Sequence, residues 1–385
     1  MSKGARQLLP LLVALAQSLG LALLYLGHSP KKMVVWLFGL ALGFALERSR
    51  FCFAAGFRDP FITRSTSLAR GIIAGLLVAT AGFAVYHLIY PASRIGVEPA
   101  GPATAVGGLL FGTGMVLAGG CASGTMMRVG EGMLLQWISF LALVAGTVLG
   151  AYHYQWWWNH FISGSPRIYW PDLLGFGPAV LFQLLFLGGL YLFLLRQERR
   201  HFPAPLRRPA RPRSPYERFF REAWPYWAGA VVLGLLNTLL LFYSGRPWGI
   251  TTSLSLWGYW FLKFCGLSPG NWPYYQQPAL VSRLAEGFWE WGTILNLGTI
   301  GGAFLSVTLA GQFRLRRPRS WRQVGLALLG GLAMGYGSRL AYGCNIGAFF
   351  SAVPALSLHG WVFGLFLLGG AGLGSWLLLR LLLEE

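Results

Sequence analysis

The sequence predicts an all-α polytopic integral membrane protein, and three observations support this fold class. Hydrophobic residues make up 55% of the 385 residues and charged residues only 11%, whereas about a quarter of the residues in soluble domains are charged. Apolar segments long enough to cross roughly 30 Å of hydrocarbon recur along the chain. Glycine is abundant, with 53 residues, and small residues allow membrane helices to approach closely. A soluble multidomain protein is therefore excluded.

The apolar segments predict the membrane helices in chain order. Eight segments are long enough to span, namely 8–27, 70–90, 131–151, 176–195, 226–243, 290–310, 322–343 and 357–380. Three shorter stretches, 33–46, 104–120 and 254–265, fit a tilted span, a re-entrant helix or an interfacial segment. We expect about 9–11 membrane helices, including short re-entrant ones, in a single transport domain over residues 1–385. Segment 8–27 has no small-residue cleavage site after it and is expected to remain as a helix.

The basic residues predict the orientation of the chain. The net charge is +19, and 19 of the 31 basic residues lie in three loops, at 47–70, 196–221 and 311–322. Between long apolar segments such loops indicate the cytoplasmic side, so the N-terminus is expected in the cytoplasm. Lys31 and Lys32 fall on the outer side in this orientation, against the trend. Basic loops also occur in nucleic-acid-binding proteins, but no nucleic-acid partner is expected here.

An internal repeat divides the chain. Segment 108–124, GLLFGTGMVLAGGCASG, matches 331–347, GLAMGYGSRLAYGCNIG, at a constant offset of 223 with glycines spaced around a cysteine. The charged loops place the two copies in opposite directions across the membrane. The sequence therefore predicts two inverted pseudo-repeats, 8–153 and 176–380, the second interrupted by a basic, Pro-rich cytoplasmic linker at 196–225. Inverted repeats are characteristic of secondary transporters, whose substrate path lies at the repeat interface.

Three cysteine motifs are the strongest candidates for chemistry. GGCASGT at 119–125 and YGCNIGA at 342–348 follow apolar segments, and ERSRFCFAAGFRDP at 47–60 places a third cysteine between arginines. Irregular backbone at membrane depth requires protein or water to satisfy its polar groups, and free N–H groups there favour an anion. The candidate binding residues are Cys52, Cys121, Cys344, Gly120, Ser123, Gly124, Gly343, Asn345 and Gly347.

Other readings of these and similar residues remain open at this point. A lone cysteine is most often a small buried hydrophobe, and Cys265 is interpreted as structural. The presumed counterpart of Cys52, near 245–252, has no cysteine. The four basic residues Arg48, Arg50, Arg58 and Arg64 either collect an anion or only set topology. Glu131, Glu286 and Glu290 lie near predicted helix ends and are interpreted as interfacial.

Several classes of site are not expected. The four cysteines form no CxxC pair, so a zinc cluster or redox dithiol is disfavoured. His153, His160 and His359 lack metal-ligand spacing. No phosphate loop, nucleophile elbow or catalytic triad is recognisable. We therefore expect no catalytic residues, no metal and no cofactor, and the chain is not expected to be an enzyme.

RSRFCF at 48–53, GGCASGT at 119–125 and YGCNIGA at 342–348 together resemble the YeeE/YedE sulfur-transport family over about 40–375. The resemblance implies a bacterial inner-membrane thiosulfate uptake transporter, with short helices from both faces meeting at a narrow middle. Thiosulfate would pass between Cys52, Cys121 and Cys344 through weak S–H···S contacts. The resemblance also implies a small cytoplasmic sulfurtransferase-like partner. The linker at 196–221 and the longer region 244–289 depart from compact members of the family.

Three alternative functions remain. A permease for selenium or another reduced sulfur species would have the same fold. A membrane enzyme for thiol redox or sulfur transfer would form a persulfide or disulfide. A non-transporting anchor for a soluble sulfurtransferase would not depend on Cys121.

Overall fold

The first half of the chain forms ten α-helices. The protein is described by a computed structural model over residues 3–201 and 214–383, so the middle of the predicted linker 196–225 lies outside the described residues. Proline begins α2 and α5, where its missing N–H would have no helical partner. The ten helices are α1 (Lys3–His28), α2 (Pro30–Arg48), α3 (Phe53–Ile62), α4 (Ser67–Ile89), α5 (Pro102–Leu117), α6 (Ala122–Gly130), α7 (Leu134–Tyr152), α8 (Tyr154–Trp157), α9 (Trp170–Leu174) and α10 (Phe176–His201).

The second half adds six α-helices and two π-helical segments. Residues Asn345–Ser351, which we call the π-helical segment, follow a break after α15. Another short π-helical segment, Glu217–Arg221, precedes α11. The six helices are α11 (Tyr226–Ser244), α12 (Thr251–Phe264), α13 (Pro278–Ala285), α14 (Trp291–Leu309), α15 (Trp321–Leu340) and α16 (Leu358–Leu383).

The prediction of an all-α polytopic membrane protein is confirmed. Over the described residues, eight helices are long and apolar enough to cross a membrane, or nine if α15 and the π-helical segment, bent by 49°, form one broken span. α5 and α6 count together as one span over Pro102–Gly130. The three shorter apolar stretches fold as α2, α5 and α12. Of these, α2 extends to 19 residues because it includes Lys31 and Lys32 at its start.

Helices from the two halves pack against one another in matching pairs. α5 packs against α15 and α16, and α15 packs in turn against α7. α2 packs against α14, while α4 packs against α11. One cluster of buried side chains therefore runs through both halves and contains Cys52, Cys121 and Cys344. The cysteines lie in the interior of the helix bundle.

Glycines bring α5 and α15 into backbone contact. A Cβ on Gly107 would lie 2.6 Å from the carbonyl oxygen of Gly337, and one on Gly114 would lie 2.5 Å from that of Gly330. In the other direction, a Cβ on Gly330 would lie 2.5 Å from the carbonyl oxygen of Gly114. A Cβ on Gly337 would lie 2.5 Å from that of Gly107. Residues 107 and 114 become 330 and 337 at the offset of 223. The two contacts are therefore exchanged by that offset.

Two helices lie at the edge of the bundle. Only 11% of the apolar window of α1 and 17% of that of α10 are buried, against 72% for α14. Large side chains such as Leu9, Leu19 and Leu185 are exposed on them. Such surfaces suit hydrocarbon, whereas the glycine-rich α5, α14 and α15 form the interior.

Candidate functional site

Each of the three interior cysteines stands immediately before a short helix. Cys52 precedes α3, Cys121 precedes α6, and Cys344 precedes the π-helical segment. All three have extended backbone and are buried, with at most 3% of the residue exposed. The sulfur of Cys121 accepts from the N–H of Gly124 at 3.4 Å, and that of Cys344 from the N–H of Ile346 at 3.4 Å. The thiols of Cys121 and Cys344 therefore act as N-caps for helix N-termini inside the protein, whereas the Cys52 side chain makes no capping hydrogen bond.

Cys52 and Cys121 meet. Their side chains are in contact, and both sulfurs lie beside Gly124. Gly124 makes room for the pair, since a Cβ there would lie 2.8 Å from the Cys52 sulfur and 3.4 Å from the Cys121 sulfur. Ser123 is buried, with its hydroxyl 3.4 Å from the Cys121 sulfur. Two thiols and several donors therefore share one small space.

The third motif surrounds Cys344. Gly343 packs tightly, because a Cβ on it would lie 2.7 Å from the N–H nitrogen of Ala348. Gly347 is half-buried and lies beside Gly249. Asn345 is fully buried, yet neither its Nδ2 nor its Oδ1 has a hydrogen-bond partner among the described residues. A buried amide without a partner is unusual, and it leaves donors and an acceptor available beside the thiol.

A polar cluster also surrounds the break before Cys121. A Cβ on Gly120 would lie 3.0 Å from Gln136 Oε1, 3.3 Å from Thr125 Oγ1 and 3.5 Å from a guanidinium nitrogen of Arg128. Within the described part of the chain, Gln136 Oε1 and Thr125 Oγ1 are buried without a hydrogen-bond partner. Gly120 therefore faces polar atoms at a position where a larger residue would fill the space.

A basic vestibule lies next to Cys344, and we call it the Arg339 vestibule. It is a cavity of about 330 Å³ lined by Arg246, Arg283, Arg339, Glu98 and Tyr342, among others. Arg339 is only 3% exposed. Over residues 3–201 and 214–383, no carboxylate lies within salt-bridge distance of it and its Nε has no partner. Its charge is close enough to act on the Cys344 thiol.

The Arg339 vestibule contains one acid. Burial raises the pKa of Glu98 despite the nearby charge of Arg167. A neighbouring cavity of about 450 Å³ is lined by Glu98, Arg167 and Tyr342 as well. The positive charges therefore dominate this approach to Cys344.

A second vestibule, the Arg128 vestibule, lies next to the Cys52–Cys121 pair. This cavity of about 220 Å³ is lined by Arg50, Arg128 and Arg316, together with Glu47 and Glu131. The charge of Arg128 acts on the Cys52 thiol. Burial and the charge of Glu47 raise the pKa of Glu131, although the three arginines oppose this. Arginines thus flank the thiols on both approaches.

The structure separates the four arginines Arg48, Arg50, Arg58 and Arg64, which the sequence analysis treated as one group. Arg50 lines the Arg128 vestibule, while Arg48 is buried in an ion pair with Glu47. Arg58 pairs with Asp59. Arg64 is exposed, with φ of 59°. Only Arg50 of this group is therefore placed to meet an anion near the thiols.

Comparisons of the sequence with known proteins identify the family of this chain. A sequence model for sulphur transport matches residues 48–373, a range that contains all three cysteine motifs. The chain belongs to this sulphur transport family. It is 31% identical over 386 residues to the thiosulfate transporter TsuA of Spirochaeta thermophila, covering 90% of this chain and 100% of that protein. It is 29% identical over 348 residues to the thiosulfate transporter TsuA of Escherichia coli, covering 88% and 92% respectively.

Some features of this sulphur transport family member were not predicted from its sequence. Arg339, Gln136 and Thr125 were not identified as site residues. The signal for Arg339 was present, because a charged residue inside an apolar segment is costly and commonly functional. Trp248 lies buried in the segment expected as the counterpart of Cys52. Its backbone N–H donates to Asn237 Oδ1 at 2.8 Å.

Other candidates lie away from the thiols. Cys265 is exposed at the end of α12 and is not a buried hydrophobe. Among the described residues, no group of three or more His, Cys, Asp or Glu could hold a metal ion. Glu290 lies at a helix end as predicted, but it is buried and bonded to Arg283.

Proposed function

We propose that this chain takes up thiosulfate across a bacterial inner membrane through a pathway lined by Cys52, Cys121 and Cys344. The observation that carries the proposal is the meeting of two buried thiols at the N-termini of short interior helices, with a third thiol in the same buried cluster. The names of two relatives that align over almost the whole chain support the substrate.

The chemistry of the ion fits these groups. Thiosulfate is a dianion with a soft terminal sulfur and three hard oxygens. Backbone N–H groups at helix N-termini suit the oxygens, and neutral thiols suit the polarisable sulfur. Conduction requires several moderate binding sites instead of one deep site. Two thiols on one side and one on the other supply such a series without covalent trapping.

The two vestibules suggest the order in which the ion meets the residues of the pathway. The Arg339 vestibule collects the anion, which then meets Cys344 and Asn345. It next reaches the Cys52–Cys121 pair, where Gly120, Ser123 and Gly124 leave space, and it leaves through the Arg128 vestibule. The basic loops at 47–70 and 311–322 support a cytoplasmic location for the Arg128 vestibule and the N-terminus.

The two halves, 8–153 and 176–380, act as inverted repeats in this proposal. The exchanged glycine contacts between α5 and α15 support it, since residues related by a two-fold axis contact each other reciprocally. The pairing of α2 with α14 and of α4 with α11 supports it as well. Trp248 then replaces the fourth thiol, so the two sides of the path differ.

The proposal includes two partners, membrane lipid and a small cytoplasmic protein. The exposed apolar faces of α1 and α10 contact membrane lipid. A small sulfurtransferase-like protein on the cytoplasmic side would receive the thiosulfate near the Arg128 vestibule. Neither the transport step nor this transfer requires a catalytic residue or a cofactor of the chain.

The first test is growth on thiosulfate as the sulfur source in a bacterium that lacks its own thiosulfate uptake. We expect the wild-type chain to rescue growth and Cys52→Ala, Cys121→Ala and Cys344→Ala to fail at matched membrane expression. Cys265→Ala is the matched control, because this exposed thiol lies outside the buried cluster, and it should rescue fully.

Uptake of labelled ions tests the substrate directly. Sulfate lacks the soft sulfur, so we expect uptake of thiosulfate to exceed that of sulfate at least about tenfold, the difference made by one good polar contact. Comparable sulfate uptake would contradict the thiol pathway. A folded wild type that transports selenite instead would move the assignment to a selenium permease. A persulfide on Cys52 or Cys121, detected by mass spectrometry and removed by reductant, would indicate sulfur transfer by the chain itself.

A further inference from the structure

Two side chains from following helices bind the carbonyls at the two helix breaks. Gln136, the third residue of α7, donates through Nε2 to the carbonyl oxygen of Ala118 at 3.0 Å. His359, the second residue of α16, contacts the carbonyl oxygen of Ala341 through Nε2 at 2.8 Å. Because a carbonyl oxygen only accepts, His359 Nε2 carries the hydrogen. Both side chains are buried, Gln136 being 3% and His359 1% exposed.

The two bonds occupy equivalent positions. Each spans 18 residues, and the offset of 223 that relates Cys121 to Cys344 also relates Gln136 to His359 and Ala118 to Ala341. The sequence comparison alone could not find this pair, because glutamine and histidine are not identical residues.

The geometry around the two carbonyls is also the same. Ala118 and Ala341 directly follow the last residues of α5 and α15. The next residue has a left-handed backbone in both cases, with φ of 70° at Gly119 and 53° at Tyr342. The chain then turns, and three residues after each bonded carbonyl it reaches the cysteine.

A carbonyl at a helix end has no partner within its own helix, and burying it without one is costly in an apolar interior. A side chain from the next long helix satisfies it and fixes the turn. The N–H groups two to three residues beyond each cysteine then point at its sulfur. The carbonyl bond and the sulfur bond therefore fix the cysteine from its two sides.

We propose that Gln136 and His359 are positioning residues, one for each break, that hold Cys121 and Cys344 in place for the transported ion. This proposal rests on the proposed function only for its transport readout. The matching bonds on two different residue types indicate that the requirement is a buried N–H donor, because glutamine provides at one break what histidine provides at the other.

The test uses the full-length chain with Cys265→Ser, which removes the exposed thiol. Gln136→Leu and His359→Leu remove each donor at similar volume, and His359→Gln keeps a donor. Thr147→Val on α7 and Ser375→Ala on α16 are matched controls, because their hydroxyls bond only within their own helices, to Val144 and Ala371. Two quantities are measured: the rate at which a small maleimide modifies each cysteine, read by peptide mass spectrometry, and the rate of thiosulfate uptake.

We expect each leucine variant to act on its own break. Gln136→Leu should raise the labelling rate of Cys121 and its contact Cys52 at least about tenfold, the effect expected for one buried hydrogen bond, without changing Cys344. His359→Leu should raise the labelling of Cys344 alone. Both should lower uptake by a similar factor, whereas His359→Gln and the two controls should match the wild type within about twofold.

Two results would overturn the proposal. One is an equal rise in the labelling rates of all three cysteines in a leucine variant, which would indicate that the whole protein has become less rigid. The other is loss of Cys344 protection in a well-folded His359→Gln, since the donor would then not be the requirement. The labelling needs no substrate, so a wild type that fails to transport thiosulfate would count against the proposed function and leave the labelling result to decide this inference.

Discussion

At the scale of single residues, two buried asparagines behave in opposite ways. Asn237 is fully bonded, with Nδ2 donating to Ser351 Oγ at 3.1 Å and Oδ1 accepting from the Trp248 N–H at 2.8 Å. Asn345 is equally buried, but its amide has no partner among the residues that the structure describes. A buried polar group without a partner costs free energy, and the amide of Asn345 is therefore available for the contact with the ion that we propose.

The contrast gives a prediction. Asn345→Leu should lower thiosulfate uptake at least about tenfold while leaving the melting temperature unchanged or higher, because it removes an unpaired buried amide. Asn237→Leu should destabilise the protein by about 1–3 kcal/mol, because it leaves the Trp248 N–H without its acceptor. Uptake in proteoliposomes and thermal unfolding in detergent measure the two effects. A large loss of stability in Asn345→Leu would contradict the proposed contact with the ion.

At the scale of helices, the sequence predicted the spans well and the site only partly. Apolar length identified seven of the eight spans, and the repeated glycines identified the breaks at Cys121 and Cys344. The eighth span, α5 with α6, was expected only as a short apolar stretch, while α15 counts as a span only together with the π-helical segment. Arg339 and Gln136 were missed because their role depends on which helix lies opposite, and apolar length carries no such information. The position of Trp248 was hidden for the same reason, since only its contacts with Phe350 and Ser351 of the π-helical segment bring it into the interior.

The start of α14 allows a prediction about pH. Glu290 caps this helix, accepting from the N–H groups of Gly292 at 2.9 Å and Thr293 at 2.6 Å, and it pairs with Arg283 at 2.5 Å. Burial raises the pKa of its carboxyl, but the charge of Arg283 and the bonds to the helix start outweigh this, so the pKa lies below its ordinary value of 4.5.

A lowered carboxyl pKa means that the folded state favours the ionised form. Its contribution to stability is therefore full above the unfolded pKa and is lost as the pH falls below about 4.5. Glu290→Gln should lower stability at pH 7 by about 1–2 kcal/mol, the range for an N-cap, and should flatten the decrease between pH 5 and 3. Glu286→Gln, at an exposed carboxyl nearby, should change neither. Thermal unfolding across this pH range measures both, and an unchanged acid slope in Glu290→Gln would refute the assignment.

At the scale of the whole molecule, arginines line one cavity near Cys344 and another near the Cys52–Cys121 pair. The Arg339 vestibule and the Arg128 vestibule each combine three arginines with fewer carboxylates. Such clefts concentrate anions and raise their rate of entry. In the proposed function, the thiols between these vestibules bind the soft sulfur of the ion.

This arrangement predicts a dependence on ionic strength. Uptake at low thiosulfate concentration should fall as the concentration of inert salt rises. The reason is that the screening length of electrostatic attraction shortens to about 8 Å at physiological ionic strength. Arg246→Gln, at an exposed residue lining the Arg339 vestibule, should lower uptake at low salt about two- to fivefold and flatten its salt dependence. Lys263→Gln, at an exposed residue on α12, should leave both unchanged. Initial uptake rates at inert-salt concentrations from about 10 to about 300 mM, over which the screening length changes severalfold, measure both effects. Equal salt slopes in Arg246→Gln and wild type would count against electrostatic capture.

The backbone contact between α5 and α15 has a consequence for inheritance. At Gly107, Gly114, Gly330 and Gly337, the space for a side chain is taken by the facing main chain. Every amino acid other than glycine carries a Cβ, so at these four codons every missense change is obstructed and only silent nucleotide changes are neutral. The contact joins α5 of the first half to α15 of the second half. A side chain added on one helix would therefore meet the backbone of the other, and no substitution on that other helix removes its backbone. We therefore expect descendants of this gene to diverge more on the exposed helices α1 and α10 than at these four glycines.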